Sequence, residues 1–340
     1  MHSTPLLKRI EVNNLVIFRA LQLGDMLCAV PALRALRSAL PRAHITLVGL
    51  PWARQYAERF RNYIDRFSAF PGHPALPEQA VQREQLIAFY QSMHAQQFSL
   101  SLQMHGNGTI TNDIVKTFRA RANAGFAANC ANECDRLCFF PYPEGGAEPL
   151  RLLNLVAMLG AAPAGAQLEF PLLASDWDEL NGSGLAAGVV AGSYICVHPG
   201  ASVRDKCWPP ARFAKVADQL ADEFGFSTVV TGSGKEIDVA SQVARHMRTS
   251  AINAAGPISI GAMAALMSGA RLLICNDTGV SHIAAALRLK SVVVFSKADI
   301  GRWSPLDQRL HRCIWDPDGA RVADVLLQAK HLLTGAATQP

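Results

Sequence analysis

Three signatures that would quickly classify an α/β chain are missing from this sequence. No Gly-x-Gly-x-x-Gly follows the first strand-like run, Leu15–Ala20; the loop there reads LQLGD, which disfavours a dinucleotide-dependent oxidoreductase. A Gly-x-Ser-x-Gly elbow is also absent, removing the commonest α/β-hydrolase signal. Thr231–Glu236, TGSGKE, imitates a P-loop, but a valine, Val229 or Val230, stands where that motif's first glycine belongs. Glu236 occupies the place of its Mg²⁺-binding hydroxyl, so a Walker A reading fails. Long apolar runs are scarce as well. The longest uncharged stretch, Ala251–Ala270, is interrupted by Asn253, Gly256, Pro257, Ser259, Gly261, Ser268 and Gly269, and reads as strand, turn and helix rather than as a membrane span. Met1–Ile10 is polar and basic and Leu15–Phe18 is shorter than a signal-peptide core, so no secretory leader and a cytoplasmic protein are expected. The eight cysteines lack the density of a disulfide scaffold, so reduced thiols are expected. No solenoid-period repeat or low-complexity tract is present.

What the sequence does contain is a steady alternation of short apolar runs and amphipathic stretches. Half of the 340 residues are hydrophobic, ample material for two cored domains. A net charge of +5 suits anionic substrates, or loose attachment to an anionic membrane face, better than nucleic-acid binding. Strands are predicted at Leu15–Ala20, Ile45–Leu50, Arg66–Phe70 and Phe98–Met104, with helices at Met26–Ala39, Trp52–Arg61, Glu78–Ala95, Asn107–Ala120 and Glu148–Leu159. Gly125–Phe140 reads as irregular or as short extended pieces, and Gly160–Leu173, rich in Ala, Pro and Gly, as a linker. A second alternation follows, with strands at Tyr194–His198, Thr228–Thr231, Ala251–Asn253, Leu272–Cys275 and Ser291–Phe295 and a closing helix at Ala320–Leu333. The pattern implies two doubly wound, Rossmann-like α/β domains, residues 1–165 and 174–340, facing each other across a cleft, with the last helix free to pack back on the first domain.

Four loops at carboxyl ends of predicted strands carry polar residues that packing explains poorly. In Asn276–His282, a strand leads through a tight turn into a helix whose first N–H groups lack partners and carry the positive end of the dipole. Gly279 lets an anion approach closely, while Asp277, Thr278 and His282 surround the same point, so a sugar phosphate would satisfy all of them. In Gln22–Asp25, Asp25 reads either as a helix N-cap or as a general base facing the cleft. In the loop from His198 to Trp208, Ser202 and Lys206 are suited to phosphate oxygens, although from this loop alone a solvated surface loop is the favoured explanation; Arg204 and Asp205 are expected to pair with each other. In TGSGKE, Glu236 suits ribose hydroxyls or simply the helix dipole.

In order and spacing, LGD with MLCAVPALRALRSALPRAHITLVG, then HPGASVRDKCWPPARFAKVADQL, TGSGKE and NDTGVSHIAAAL resemble the motifs of glycosyltransferase family 9, the heptosyltransferases of lipopolysaccharide core assembly. The resemblance spans roughly Leu15–Phe295; it departs after the last strand, where Phe295-Ser296-Lys297-Ala298-Asp299 replaces a frequent Phe-Gly. It implies a GT-B fold, a nucleotide-sugar donor such as ADP-heptose as substrate, and no cofactor or metal. By position it implies Asp25 as catalytic base, Ser202 and Lys206 as diphosphate ligands, and Gly232 and Glu236 in the ribose loop. Asp277, Thr278, Gly279 and His282 would touch the donor sugar and phosphate. The chemistry implied is inverting displacement, one carboxylate deprotonating an acceptor hydroxyl while fixed positive charge stabilises the departing diphosphate, with domain closure bringing the two together. The expected partner is an anionic, lipid-linked saccharide, lipid A core, met at the inner face of the inner membrane, and no nucleic acid. Arg54, Arg59 and Arg61 are candidate ligands for its anionic groups, or else a solvated face with Arg66 beyond. Transfer of another nucleotide sugar, a non-lipopolysaccharide acceptor, or a non-catalytic nucleotide-sugar-binding module are the alternative readings.

Two further clusters have simpler explanations. Asp176-Trp177-Asp178 and Asp316-Pro317-Asp318 resemble metal-holding Asp-x-Asp pairs but sit where helix caps and turns belong. Cys130, Cys134 and Cys138 with His105 offer a zinc-like set, yet lack close Cys-x-x-Cys pairs, and free thiols are the expected state.

Overall fold

The computed structural model describes residues 4–128, 138–201, 203–256 and 258–335. The chain divides into two compact units, Met1–Ala166 and Gln167–Pro340. Each is built on one six-stranded parallel sheet.

In the first unit the strands are β1 (Asn14–Phe18), β2 (His44–Gly49), β3 (Arg66–Ala69), β4 (Leu100–Gln103), β5 (Ala122–Ala127) and β6 (Phe139–Pro141), in the spatial order β3-β2-β1-β4-β5-β6. Central strands of such a sheet are covered on both faces, so they read as continuous rather than alternating apolar runs. Leu15, Val16, Ile17 and Phe18 of β1 are accordingly all buried. Phe18, Phe70, Phe89 and Phe118 meet in the core on one face. Helix Glu148–Leu159 closes the unit and ends at Gly160, whose φ of 110° is the left-handed conformation that a helix C-terminus commonly adopts.

In the second unit β7 (Tyr194–His198), β8 (Ser227–Val230), β9 (Ala251–Asn253), β10 (Leu273–Asn276), β11 (Ser291–Phe295) and β12 (His311–Trp315) lie in the order β12-β11-β10-β7-β8-β9. Counted from its own first strand, this is the order of the first unit, the doubly wound 3-2-1-4-5-6 arrangement. In both units the chain reverses direction across the sheet beside the first strand, between β1 and β4 and between β7 and β10, which is where ligands of such folds bind at the carboxyl ends.

Several element boundaries differ from expectation for local reasons. The helix expected from Glu78 starts only at Arg83, because the preceding loop is tied back: Gln82 N–H donates to Pro71 O at 2.7 Å and Gln79 Nε2 to Phe70 O at 3.0 Å. Glu78 therefore sits on a loop. The helix expected over Asn107–Ala120 is confined to Thr111–Lys116, since Gly106 and Gly108 take φ of 67° and 85°. The segment expected to be irregular or short extended pieces contributes to the short strands β5 and β6, in keeping with the second of those readings, whereas β12 went unpredicted; all three are weakly patterned strands toward sheet edges. Among the described residues no helix is long and apolar enough to cross a membrane.

Candidate active site

The second unit gathers most of the expected site at the carboxyl ends of β7, β8 and β10. Asn276, the last residue of β10, is fully buried and acts as a staple. Its Oδ1 accepts from Trp208 N–H at 2.8 Å, and its Nδ2 donates to Pro199 O at 2.7 Å and to Gly200 O at 3.4 Å. Trp208 is buried too, its indole N–H donating to Asp316 Oδ2 at 2.8 Å. The loop after β7 is thus fixed at both ends, and Lys206 is presented to Asp277 with Nζ 3.0 Å from Oδ2. An ammonium has three donors, so Lys206 keeps two for a ligand while Asp277 holds it in place.

Immediately beyond Asp277, Thr278 is the N-cap of helix Gly279–Leu287. Its own side chain makes no capping bond, which leaves the first helical N–H groups to an anion. His282 lies buried one turn in, edge-on to Trp303 with ring centroids 6.3 Å apart. Trp303, on the short helix Ile300–Trp303, was not anticipated. The loop after β11 is fastened by Lys297, whose Nζ lies 2.8 Å from Asp205 Oδ2. Asp205 therefore pairs with Lys297 and not, as expected, with Arg204; this contact holds its carboxyl below the usual carboxylate range.

Glu236 accepts a hydrogen bond from Ser233 N–H at 2.7 Å and so helps cap the short helical turn Gly234–Glu236. The carboxylate also lies against Gly200, where a Cβ would overlap it, and 3.8 Å from Nε2 of the buried His198. Burial lowers the His198 pKa, with Glu236 opposing the shift. At Gly232 an added Cβ would crowd Ala255 and Glu236, so this glycine permits the close packing of the loop. Ser202 lies outside the described residues.

Asp25 belongs to the first unit. It is the third residue of helix Leu23–Cys28, with Gln22 as N-cap, so the N-cap reading does not hold; its carboxylate is partly exposed and sits where the dipole favours its ionised form. Beneath it, sequence reasoning missed a buried polar cluster. Arg19, just past β1, is 1 % exposed and ion-paired with Glu148, at 3.3 Å. His105, at the end of β4, accepts from Ala20 N–H on Nδ1 at 3.3 Å and turns Nε2 toward Glu78 Oε1 at 3.4 Å. Burial, and secondarily Arg19, push its pKa down to about 3, so the ring is neutral. With both ring nitrogens occupied in this way, His105 is not offered to zinc; of the cysteines weighed with it, Cys130 and Cys134 lie outside the described residues and Cys138 is a free thiol. Arg54 and Arg61 line a surface cavity of about 320 Å³ with Arg66 and Phe67; Arg59 is not among its lining residues.

The Asp-x-Asp candidates serve structural ends. Asp316 accepts from Ala320 and Arg321 N–H, both at 2.9 Å, as well as from Trp208, and Asp176 accepts from Leu173 N–H at 2.8 Å.

Comparison with known proteins matches the second half of this arrangement to a family model. The model of glycosyltransferase family 9 (heptosyltransferase) covers residues 164–321, which contain every expected donor-side residue. Over these residues, a little under half of its length, the chain is similar to glycosyltransferase family 9. Lipopolysaccharide heptosyltransferase 3 of Escherichia coli is 28% identical over 165 residues, 48% of each chain, so the match spans about half of that relative's length. Among solved family 9 structures, that of the glycosyl transferase family 9 protein from Veillonella parvula superposes with a TM-score of 0.80 at 19% identity, covering 96% of this chain and 99% of the other. E. coli ADP-heptose lps heptosyltransferase II gives 0.73 at 18% identity, with 95% and 99% covered. At these identities the likeness speaks to the fold, which is GT-B.

Proposed function

We propose that this chain is an inverting, metal-independent glycosyltransferase of family 9 that moves a heptose from ADP-heptose to the inner core of lipopolysaccharide. The observation that carries the reading is the Lys206–Asp277 pair at the open N-terminus of helix Gly279–Leu287, at the switch point of the second unit. A diphosphate on that N-terminus takes the two remaining Lys206 donors and the helix N–H groups. These groups gain strength as negative charge develops on the leaving group, and they are already fixed in place by Asn276 and Trp208. Asp277 accepts from a sugar hydroxyl on its second oxygen, and Glu236 from the ribose. Asp25 takes the proton from the attacking acceptor hydroxyl as the bond to the anomeric carbon forms and the bond to the diphosphate breaks. An anionic lipid-linked acceptor, met at the inner membrane face, finds candidate ligands in Arg54, Arg59 and Arg61.

Calorimetric titration with ADP, UDP and GDP, with and without EDTA, tests the donor. Selective ADP binding unaffected by EDTA, and weakened about tenfold or more by Lys206→Ala, is expected. Equal ADP affinity in the variant and the parent would remove Lys206 from the site. Turnover is tested by following heptose transfer from ADP-heptose to lipid A core in Asp25→Asn, which should retain ADP affinity and lose most transfer; parental turnover would remove the base assignment.

A further inference from the structure

An arginine is almost never fully buried unless its charge and its donors are matched, and Arg19 is 1 % exposed. Its five N–H donors are spent in a particular way. Nε and Nη2 both point at the backbone carbonyl of Asp25, at 3.0 and 2.8 Å, and Nη1 donates to the carbonyl of Met104. Nη2 also reaches Glu148 Oε1 at 3.3 Å and stands 3.9 Å from the Asp25 carboxylate. Glu148 is also buried, and its other oxygen faces Arg151 Nη1 at 3.5 Å. One guanidinium therefore ties together the loops after β1 and β4, the two strands that flank the switch point of the first unit.

Stability alone does not call for such a group, because an apolar side chain of similar volume commonly serves a core as well or better. What an apolar side chain cannot do is hold two carbonyls by directed bonds and set positive charge beside a carboxylate. We propose that Arg19 is the positioning residue for Asp25, fixing its backbone through the forked bond and favouring its ionised carboxylate, and that Glu148 tempers this charge so that Asp25 keeps its strength as a base. The inference rests on the reading of Asp25 as the catalytic base. Among the described residues, the ionisable groups near Arg19 include Arg151, on the helix of Glu148, and the neutral His105 at the end of β4, with Glu78 beyond it.

Carboxyl ¹³C NMR titration of the intact, aspartate-labelled protein, with the Asp25 signal assigned by its loss in Asp25→Asn, reads the electrostatic part without any substrate. Arg19→Met is expected to move the Asp25 midpoint up by about 1 pH unit, and Glu148→Gln to move it down. Opposite displacements from two neighbouring buried sites are not what a general loosening of the fold would give. Arg19→Lys keeps the charge and loses the fork; its midpoint should stay within a few tenths of a unit while kcat falls about 10- to 100-fold with ADP affinity unchanged. Thermal melts identify variants that do not fold, and if Arg19→Met is among them the other two decide. An unmoved midpoint in folded Arg19→Met and Glu148→Gln, or parental kcat in Arg19→Lys, overturns the proposal. Asp25→Asn separates this from failure of the underlying reading: parental turnover there removes the base assignment and the proposal with it, whereas loss of turnover alongside unmoved midpoints removes the proposal alone.

Discussion

Replacing Asn276 by alanine should both weaken the second unit and blunt its ligand site. The side chain is fully buried and makes two short bonds, to Trp208 N–H at 2.8 Å and Pro199 O at 2.7 Å. Alanine restores neither bond, and at a fully buried site the two groups are left unpaired. At about 1–3 kcal/mol for each buried group left unsatisfied, the expected loss is about 3 kcal/mol. For a unit of this size that is about 6–12 °C in Tm. Differential scanning calorimetry with and without ADP reads it, the transition of the second unit being the one that ADP raises. The same substitution frees the loop that presents Lys206, so ADP affinity measured at a temperature where the variant is folded should fall several-fold. A ligand-sensitive transition within about 1 °C of the parent's would show that the staple carries no such energy and would refute the reasoning.

Gly200→Ala should weaken ADP binding with little effect on the melt, because its Cβ displaces the Glu236 carboxylate while the backbone there is not in a left-handed conformation; unchanged affinity would dissociate Glu236 from the donor. Acid should destabilise the protein through two buried histidines. Burial depresses His105 to about 3 and His311 to about 4, in the latter aided by Arg288 and His282 and opposed by Asp307. Both are neutral when folded, while the unfolded chain takes up protons below about pH 6.5, so their stabilisation is complete above that pH and is lost as pH falls toward the folded values. The slope is half-developed at pH 6.5 and approaches about 1.4 kcal/mol per pH unit and group below it, so about 3 kcal/mol is lost between pH 6.5 and 5. Chemical denaturation at the two pH values measures it, and a slope undiminished in His105→Gln and His311→Gln would assign the loss elsewhere.

Much of this was legible because central parallel strands must be apolar and the loops that follow them need not be. β7, β9 and β11 fall on the residues expected, and the polar loops of the second unit were found by their position at strand ends. Lys206 and Asp277, 71 residues apart in sequence, meet as adjacent loops at a switch point do. The buried cluster of the first unit was not legible, because nothing local marks Arg19. It follows an apolar strand as any turn residue might, and its partners Met104 and Glu148 come from elements 85 and 129 residues away. Asn276 was read only as the opening of a turn, since its staple role depends on where Trp208 arrives. The Asp205–Lys297 pair likewise joins loops after β7 and β11, whereas proximity along the chain suggested Arg204.

The two units share one strand order and one switch point yet furnish opposite charges there. In the first, a partly exposed carboxylate, Asp25, stands over a buried arginine; in the second, a partly exposed ammonium, Lys206, stands beside a buried carboxylate, Asp277. In each unit the group of opposite sign lies deeper and supplies orientation. Under the proposed function, that is the arrangement a displacement reaction asks for. A base must be ionised and aimed before the acceptor loses its proton, and a cation must be fixed before the diphosphate gains its charge, so that neither has to reorganise as the bond breaks. One Rossmann-like strand order can present either sign because its carboxyl-end loops are free to differ while the sheet that positions them is not. The substitutions that matter most to turnover should therefore include the buried partners, Arg19 and Asp277, together with Asn276, which staples the loop that presents Lys206.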